Sequence, residues 1–251
     1  MKKQMSISNL KKVPQIALLA MLSLGTIFTS CEKDESTKTT EITEEDAYDV
    51  VEGTLSSETY GLTETVEQAS LTAEEQACYT SEAAIECGTL YTIVYAVQDT
   101  SSNLSYDYNA EANYELTCTN LKVPSIFDFE TTVTGTYDAL RMSSQDSFES
   151  EITIAGLEPS ETTAIFNGSY ERNGTQKSKV SDNRNFTSQV INTLNDLKIN
   201  KSNHKIEGGI AMLNILLTTD DESKSFTAHL TFHANNTAIL DINGTVYTVY
   251  L

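Results

Sequence analysis

Apolar positions change their spacing twice along this chain. Ile16 to Phe28 form a nearly unbroken apolar run behind the basic positions Lys2, Lys3, Lys11 and Lys12. The run is shorter than the roughly 20 apolar residues that cross a bilayer core, and it has the layout of a cleaved leader. Residues 1–30 are therefore set aside from the fold. Residues 32–42 are polar and without period, as expected of a flexible tether.

Helical spacing follows. Thr43-Glu44-Glu45-Asp46 reads as a capping box, and Ala47, Val50, Val51 and Leu55 then fall on one helical face. Gly61 interrupts, and Leu62, Val66 and Ala69 continue a second stripe. Thr72-Ala73-Glu74-Glu75 offers a further N-cap, so the pattern predicts one or two helices within 44–79.

From Leu90 the period becomes two. Tyr91, Ile93, Tyr95 and Val97 share one parity. After the turn-rich 99–103, Tyr106, Tyr108, Ala110, Ala112, Tyr114 and Leu116 share another, which predicts a long hairpin. Strands are expected at 129–137, 148–155, 162–171, 185–199, 204–218, 226–234, 237–242 and 245–251. Asn243-Gly244 suits a two-residue hairpin turn with positive φ at both positions, and Asn235-Asn236 does so less ideally. Asn173-Gly174 and Asp220-Asp221-Glu222-Ser223 read as loops. The short connections favour antiparallel neighbours. The expected fold is mainly β with a small N-terminal helical segment (α+β): an up-and-down meander forming a curved sheet, a sandwich or an open barrel. Residues 43–251 are read as one domain.

Composition agrees with strands and turns: no Trp, three Pro, twelve Tyr and abundant Thr, Ser and Asn. The net charge of −20 becomes −24 once the four leader lysines are removed. Such a chain repels nucleic acid and anionic headgroups.

The segment Ile27-Phe28-Thr29-Ser30-Cys31 resembles a bacterial lipobox, with Phe28 where Leu is commonest. The resemblance implies that Cys31 carries a diacylglyceryl group and an acylated amine, enough lipid for stable membrane attachment. Lys33-Asp34-Glu35 looks like the export signal of Bacteroidota lipoproteins, which implies display on the outer face of the outer membrane. The segments Thr162–Tyr170, Arg172-Asn173-Gly174-Thr175, Arg184-Asn185-Phe186-Thr187 and Phe232–Leu251 are similar to a group of uncharacterised lipoproteins of the same phylum. That likeness implies a β-rich body and no particular activity.

With Cys31 lipidated, Cys78, Cys87 and Cys118 remain for an oxidising compartment. A hairpin centred on Ser102-Asn103 sets Tyr91 opposite Tyr114, and Cys87 opposite Cys118 at its open end. Cys87–Cys118 is the preferred bridge; Cys78–Cys87, or free thiols, are the alternatives.

Little else suggests chemistry. His229 and His233 have metal-ligand spacing on a helix, but on a strand their rings stand about 13 Å apart. No Gly-x-Ser-x-Gly elbow, phosphate-binding glycine loop or Cys-x-x-Cys occurs. Asp220-Asp221-Glu222 lacks calcium-loop spacing. Tyr106 and Tyr108 are candidate ligand-stacking side chains, against a plainer role in cross-strand packing. No cofactor, metal or catalytic residue is indicated. The expectation is a lipid-anchored envelope protein with a structural or interaction role. The alternative is a ligand- or glycan-binding accessory of an uptake system, with a protein or glycan partner.

Overall fold

The computed structural model describes residues 41–77, 86–180 and 184–251. The leader, Cys31, Lys33-Asp34-Glu35, most of the tether and Cys78 lie outside them. Two helices, α1 (Glu44–Leu55) and α2 (Leu62–Gln76), are joined by a 3-10 turn at Ser57–Thr59. Ten strands follow: β1 (Leu90–Thr100), β2 (Ser105–Cys118), β3 (Pro124–Asp138), β4 (Met142–Ala155) and β5 (Thr163–Ser178), then β6 (Asn185–Asn200), β7 (Ile206–Thr218), β8 (Ser223–His233), β9 (Thr237–Ile242) and β10 (Thr245–Tyr250). They form one antiparallel sheet in chain order, and β1 does not pair with β10. The meander is thus an open curved sheet.

α1 begins with the capping box: Asp46 N donates to Thr43 Oγ1 at 3.2 Å and Thr43 N to Asp46 Oδ2 at 2.8 Å. Thr72 is not an N-cap. It lies inside α2, where its hydroxyl donates to Gln68 O at 2.8 Å. The helix runs through because Leu62, Val66, Ala69 and Ala73 continue one buried stripe across it.

Alternation along each strand sets the sheet's two faces. The inner face buries Phe127, Phe129, Phe148, Ile152, Phe166, Val190, Leu213, Leu230 and Leu240. These pack with Val51, Leu55, Leu62 and Val66 of the helices in one core. The helices therefore fill the concave side of the sheet.

Asn173-Gly174 is not a loop, since β5 runs through it. Gly174 faces inward, and a Cβ there would meet Gln176 Nε2 at 2.2 Å and Ser144 Oγ at 2.9 Å. Close packing explains this glycine, which is why its turn-like sequence misleads. Gly168 marks a real irregularity: its φ is +146°, and the β5–β6 register shifts beside it. A second shift follows between Asn195 and Lys198. Such bulges bend a sheet and raise its twist. Both tight turns near the C-terminus have positive φ: Asn235 and Asn236 at 73° and 56°, Asn243 and Gly244 at 51° and 95°.

Candidate functional site

The first hairpin has Tyr91 opposite Tyr114, with rings stacked at 5.7 Å. Cys87 and Cys118 are joined by a disulfide at its open end. The tyrosines do not form a ligand face. Tyr108 is 0 % exposed and Tyr106 is half-buried. Both face inward, where Tyr60 of the helical segment lies against them at 5.6 and 6.2 Å. The core takes them because their strand parity is the inner one.

Tyr108 belongs to a buried polar node. Its hydroxyl donates to Asp146 Oδ1 at 3.0 Å and accepts from Arg172 Nη2 at 2.6 Å. Arg172 Nε donates to Asp146 Oδ2 at 2.7 Å, and the two side chains are almost completely buried. The same guanidinium reaches the helical segment: Nη1 donates to Gly53 O at 2.9 Å and Nη2 to Thr59 O at 3.1 Å. Gly53 lies in the last turn of α1, where free carbonyls and the helix dipole favour a cation. Burial opposes the charge on Arg172, but Asp146 outweighs it and holds the guanidinium well above its ordinary pKa. Burial likewise raises the Tyr108 phenol far above its usual range.

All three arginines of the chain grip the helical segment. Arg141 Nε donates to Asp49 at 2.9 Å, and Arg184 binds both oxygens of Asp46 at 2.6 and 2.7 Å. Lys205 pairs with Glu67, and Lys224 donates to Ile42 O. Glu222 of the acidic turn accepts from Ile42 N at 2.9 Å, so this turn secures the chain before α1. These cations come from the sheet and its turns, and the carboxylates from the helical segment. Burial pushes the Asp49 carboxyl up to about 6, against the opposing pull of Arg141.

A groove of about 650 Å³ opens where α2 meets the β4–β5 and β6–β7 connections, lined by Ala73, Ala77, Ile154, Leu157 and Ala164 with His204 and Lys201. His204 Nδ1 is 3.0 Å from Ser70 Oγ, and its Nε2 is 3.2 Å from Glu74 Oε2. A serine, an imidazole and a carboxylate in sequence are the parts of an acyl-transfer triad. The setting does not suit that chemistry. Ser70 is 5 % exposed in the middle of α2, where helical N–H groups are already bonded and give no oxyanion donors. Lys201 is held by three carbonyls of the β4–β5 connection, from Gly156, Leu157 and Glu158. The cluster clasps the β6–β7 turn onto α2. His229 and His233 stand exposed on β8.

The outer face of the sheet is divided by charge. Toward the disulfide end of β2 to β4 it carries Glu111, Glu115, Asp128, Glu130, Glu149 and Glu151. Nearer the opposite end two rows are neutral. Asn109, Thr134, Ser147, Asn173 and Gln189 are successive register partners across β2 to β6. Thr136, Gln145, Thr175, Thr187 and Thr218 are partners across β3 to β7. Together they line a shallow groove of about 910 Å³ whose one apolar side chain is Leu216. Asn173 and Gln189 both donate to Glu171 Oε1, at 2.9 and 2.8 Å. Among the described residues, the side chains of Asn109, Thr134, Thr136, Gln145, Thr175 and Thr187 have no hydrogen-bond partner.

Sequence reasoning missed Arg172, Asp146, Ser70 and Glu74, and found no partner for His204. A signal for two of them was present. Arg172 shares the parity of Phe166 and Tyr170, and Asp146 that of Phe148 and Ile152, so each is a charge on an apolar face. The clasp carried no such signal, because 134 residues separate Ser70 from His204. Comparison with family models, curated proteins and solved structures found no match to this chain.

Proposed function

We propose that this chain is a lipid-anchored lipoprotein of the outer membrane, displayed at the cell surface, whose β body acts by binding rather than by catalysis. The observation that carries the reading is Cys31 behind a basic and then apolar leader, followed at once by Lys33-Asp34-Glu35. Two acyl chains hold a protein at a bilayer, where one is marginal. In sequence, a polar stretch, residues 32–40, joins Cys31 to the body, which already holds Ile42 through Glu222 and Lys224.

A binding role is supported by how the polar groups are used. Arg141, Arg172, Arg184 and His204 hold the helices to the sheet. The Ser70 hydroxyl is enclosed by the clasp it forms. The outer face keeps unpaired hydroxyl and amide groups turned to solvent. Metabolic labelling with radiolabelled palmitate tests the anchor. Label is expected on the native chain and absent from Cys31→Ala, which should leave the membrane fraction. Persistent label in that variant sinks the reading.

A further inference from the structure

We infer that the neutral groove on the outer face of β2 to β7 binds an uncharged polysaccharide laid across the strands. The inference rests on the binding role proposed above and names the ligand class and the site. Charge selects the class. In a chain of net charge −20, two cross-strand rows carry only hydroxyl and amide side chains. Glu111, Glu149 and Glu171 border them on one side, Asp107 lies at the β2 end, and the row beyond the other side pairs Asp138 and Lys177 through Ser143, so the border is acidic on balance. An anionic polymer is repelled by that border; a neutral one is not.

Hydrogen-bonding capacity points the same way. Amide and hydroxyl side chains both donate and accept, as sugar hydroxyls do, and most of those in the groove have no protein partner. Asn173 and Gln189 are oriented by their shared bond to Glu171. With Leu216 as the only apolar contributor, the groove offers little to a protein partner, whose contact cores are apolar and aromatic.

Size sets the ligand's length. Five strands at about 4.8 Å spacing make each row about 19 Å long, enough for several sugar units in line. No aromatic side chain lines the groove, so each unit is held by hydrogen bonds alone. Binding per sugar is therefore weak, and a long chain gains by repeated engagement.

Native affinity electrophoresis of the detergent-solubilised full chain tests this, in gels carrying dextran, mannan, xylan or arabinogalactan. Retardation is expected in at least one of these gels and not in polygalacturonate or chondroitin sulfate. Asn173→Ala with Gln189→Ala should weaken it by about tenfold for each hydrogen bond lost. The outward Thr193→Ala, beyond the groove, should leave it unchanged. Four results overturn the inference: no retardation in any neutral gel, equal retardation by the anionic polymers, retention by the double variant, or equal loss in Thr193→Ala. Palmitate labelling of the same proteins separates the two readings. Retardation without label sinks the lipid anchor alone, and label without retardation sinks the glycan site alone.

Discussion

Arg172 illustrates how one residue links a strand to a helix. It lies on the inner face of β5, is 2 % exposed, and binds Asp146 and two backbone carbonyls of the helical segment. Arg172→Ala leaves Asp146 buried without its cation. The expected cost is about 3–5 kcal/mol in urea unfolding, whereas replacing Asp146 and Arg172 together by apolar residues should recover much of it. A loss below about 1 kcal/mol in the single variant would show that Asp146 does not need the pair. Asp49 gives a pH signature. Its carboxyl is raised to about 6 in the folded protein, above its ordinary value. The folded state therefore binds more protons than the unfolded state between about pH 4 and 6. Stability from this group is greatest at low pH and falls as pH rises through that window. Relative to Asp49→Asn, the native chain should lose at most about 3 kcal/mol from pH 4 to pH 7. A native chain that gains on the variant over that range contradicts the sign.

At the scale of elements, β1 is the most exposed strand of the sheet. β1 is an edge strand, and Ile93, Val94 and Leu90 are solvent-exposed along it. The Cys87–Cys118 bridge holds its open end across a sequence separation of 31. Loop-closure entropy gives such a bridge about 3–4 kcal/mol. Reduction should lower the melting temperature and speed deuterium exchange in β1 before the central strands. Uniform acceleration across all ten strands would show that β1 has no separate role. The hairpin was legible because its alternation is long and its turn is rich in Ser and Asn. Asn173-Gly174 was misread because local turn chemistry there yields to packing against Ser144 and Gln176.

For the whole molecule, the division of charge decides the assembly. Acidic helices meet a sheet that supplies Arg141, Arg172, Arg184, Lys205 and Lys224. Carboxylates left over from this docking gather on the outer face toward the disulfide end of β2 to β4. High salt screens the half-exposed pairs Arg141–Glu45 and Lys205–Glu67 but leaves Arg172–Asp146 nearly untouched. Raising ionic strength should therefore lower stability in Arg172→Ala by no more than it does in the native chain. A much larger salt effect in the variant would mean that the rim pairs carry the docking.

Strand alternation, turn residues and capping chemistry are properties of neighbouring residues. The sequence by itself therefore determined the helical segment, the order of the meander and the facing positions of the first hairpin. Only the tertiary structure decided that the helices fill the concave side and that the tyrosines of β2 lie beneath them. It also decided which charges meet, as with Arg172 at Gly53 and His204 at Ser70. The neutral groove is of the same kind. Its rows come from residues far apart in the chain that become adjacent once the registers of six strands are fixed. A period of two says which face a side chain takes, while the neighbour across the strand depends on register and bulges that no single segment encodes.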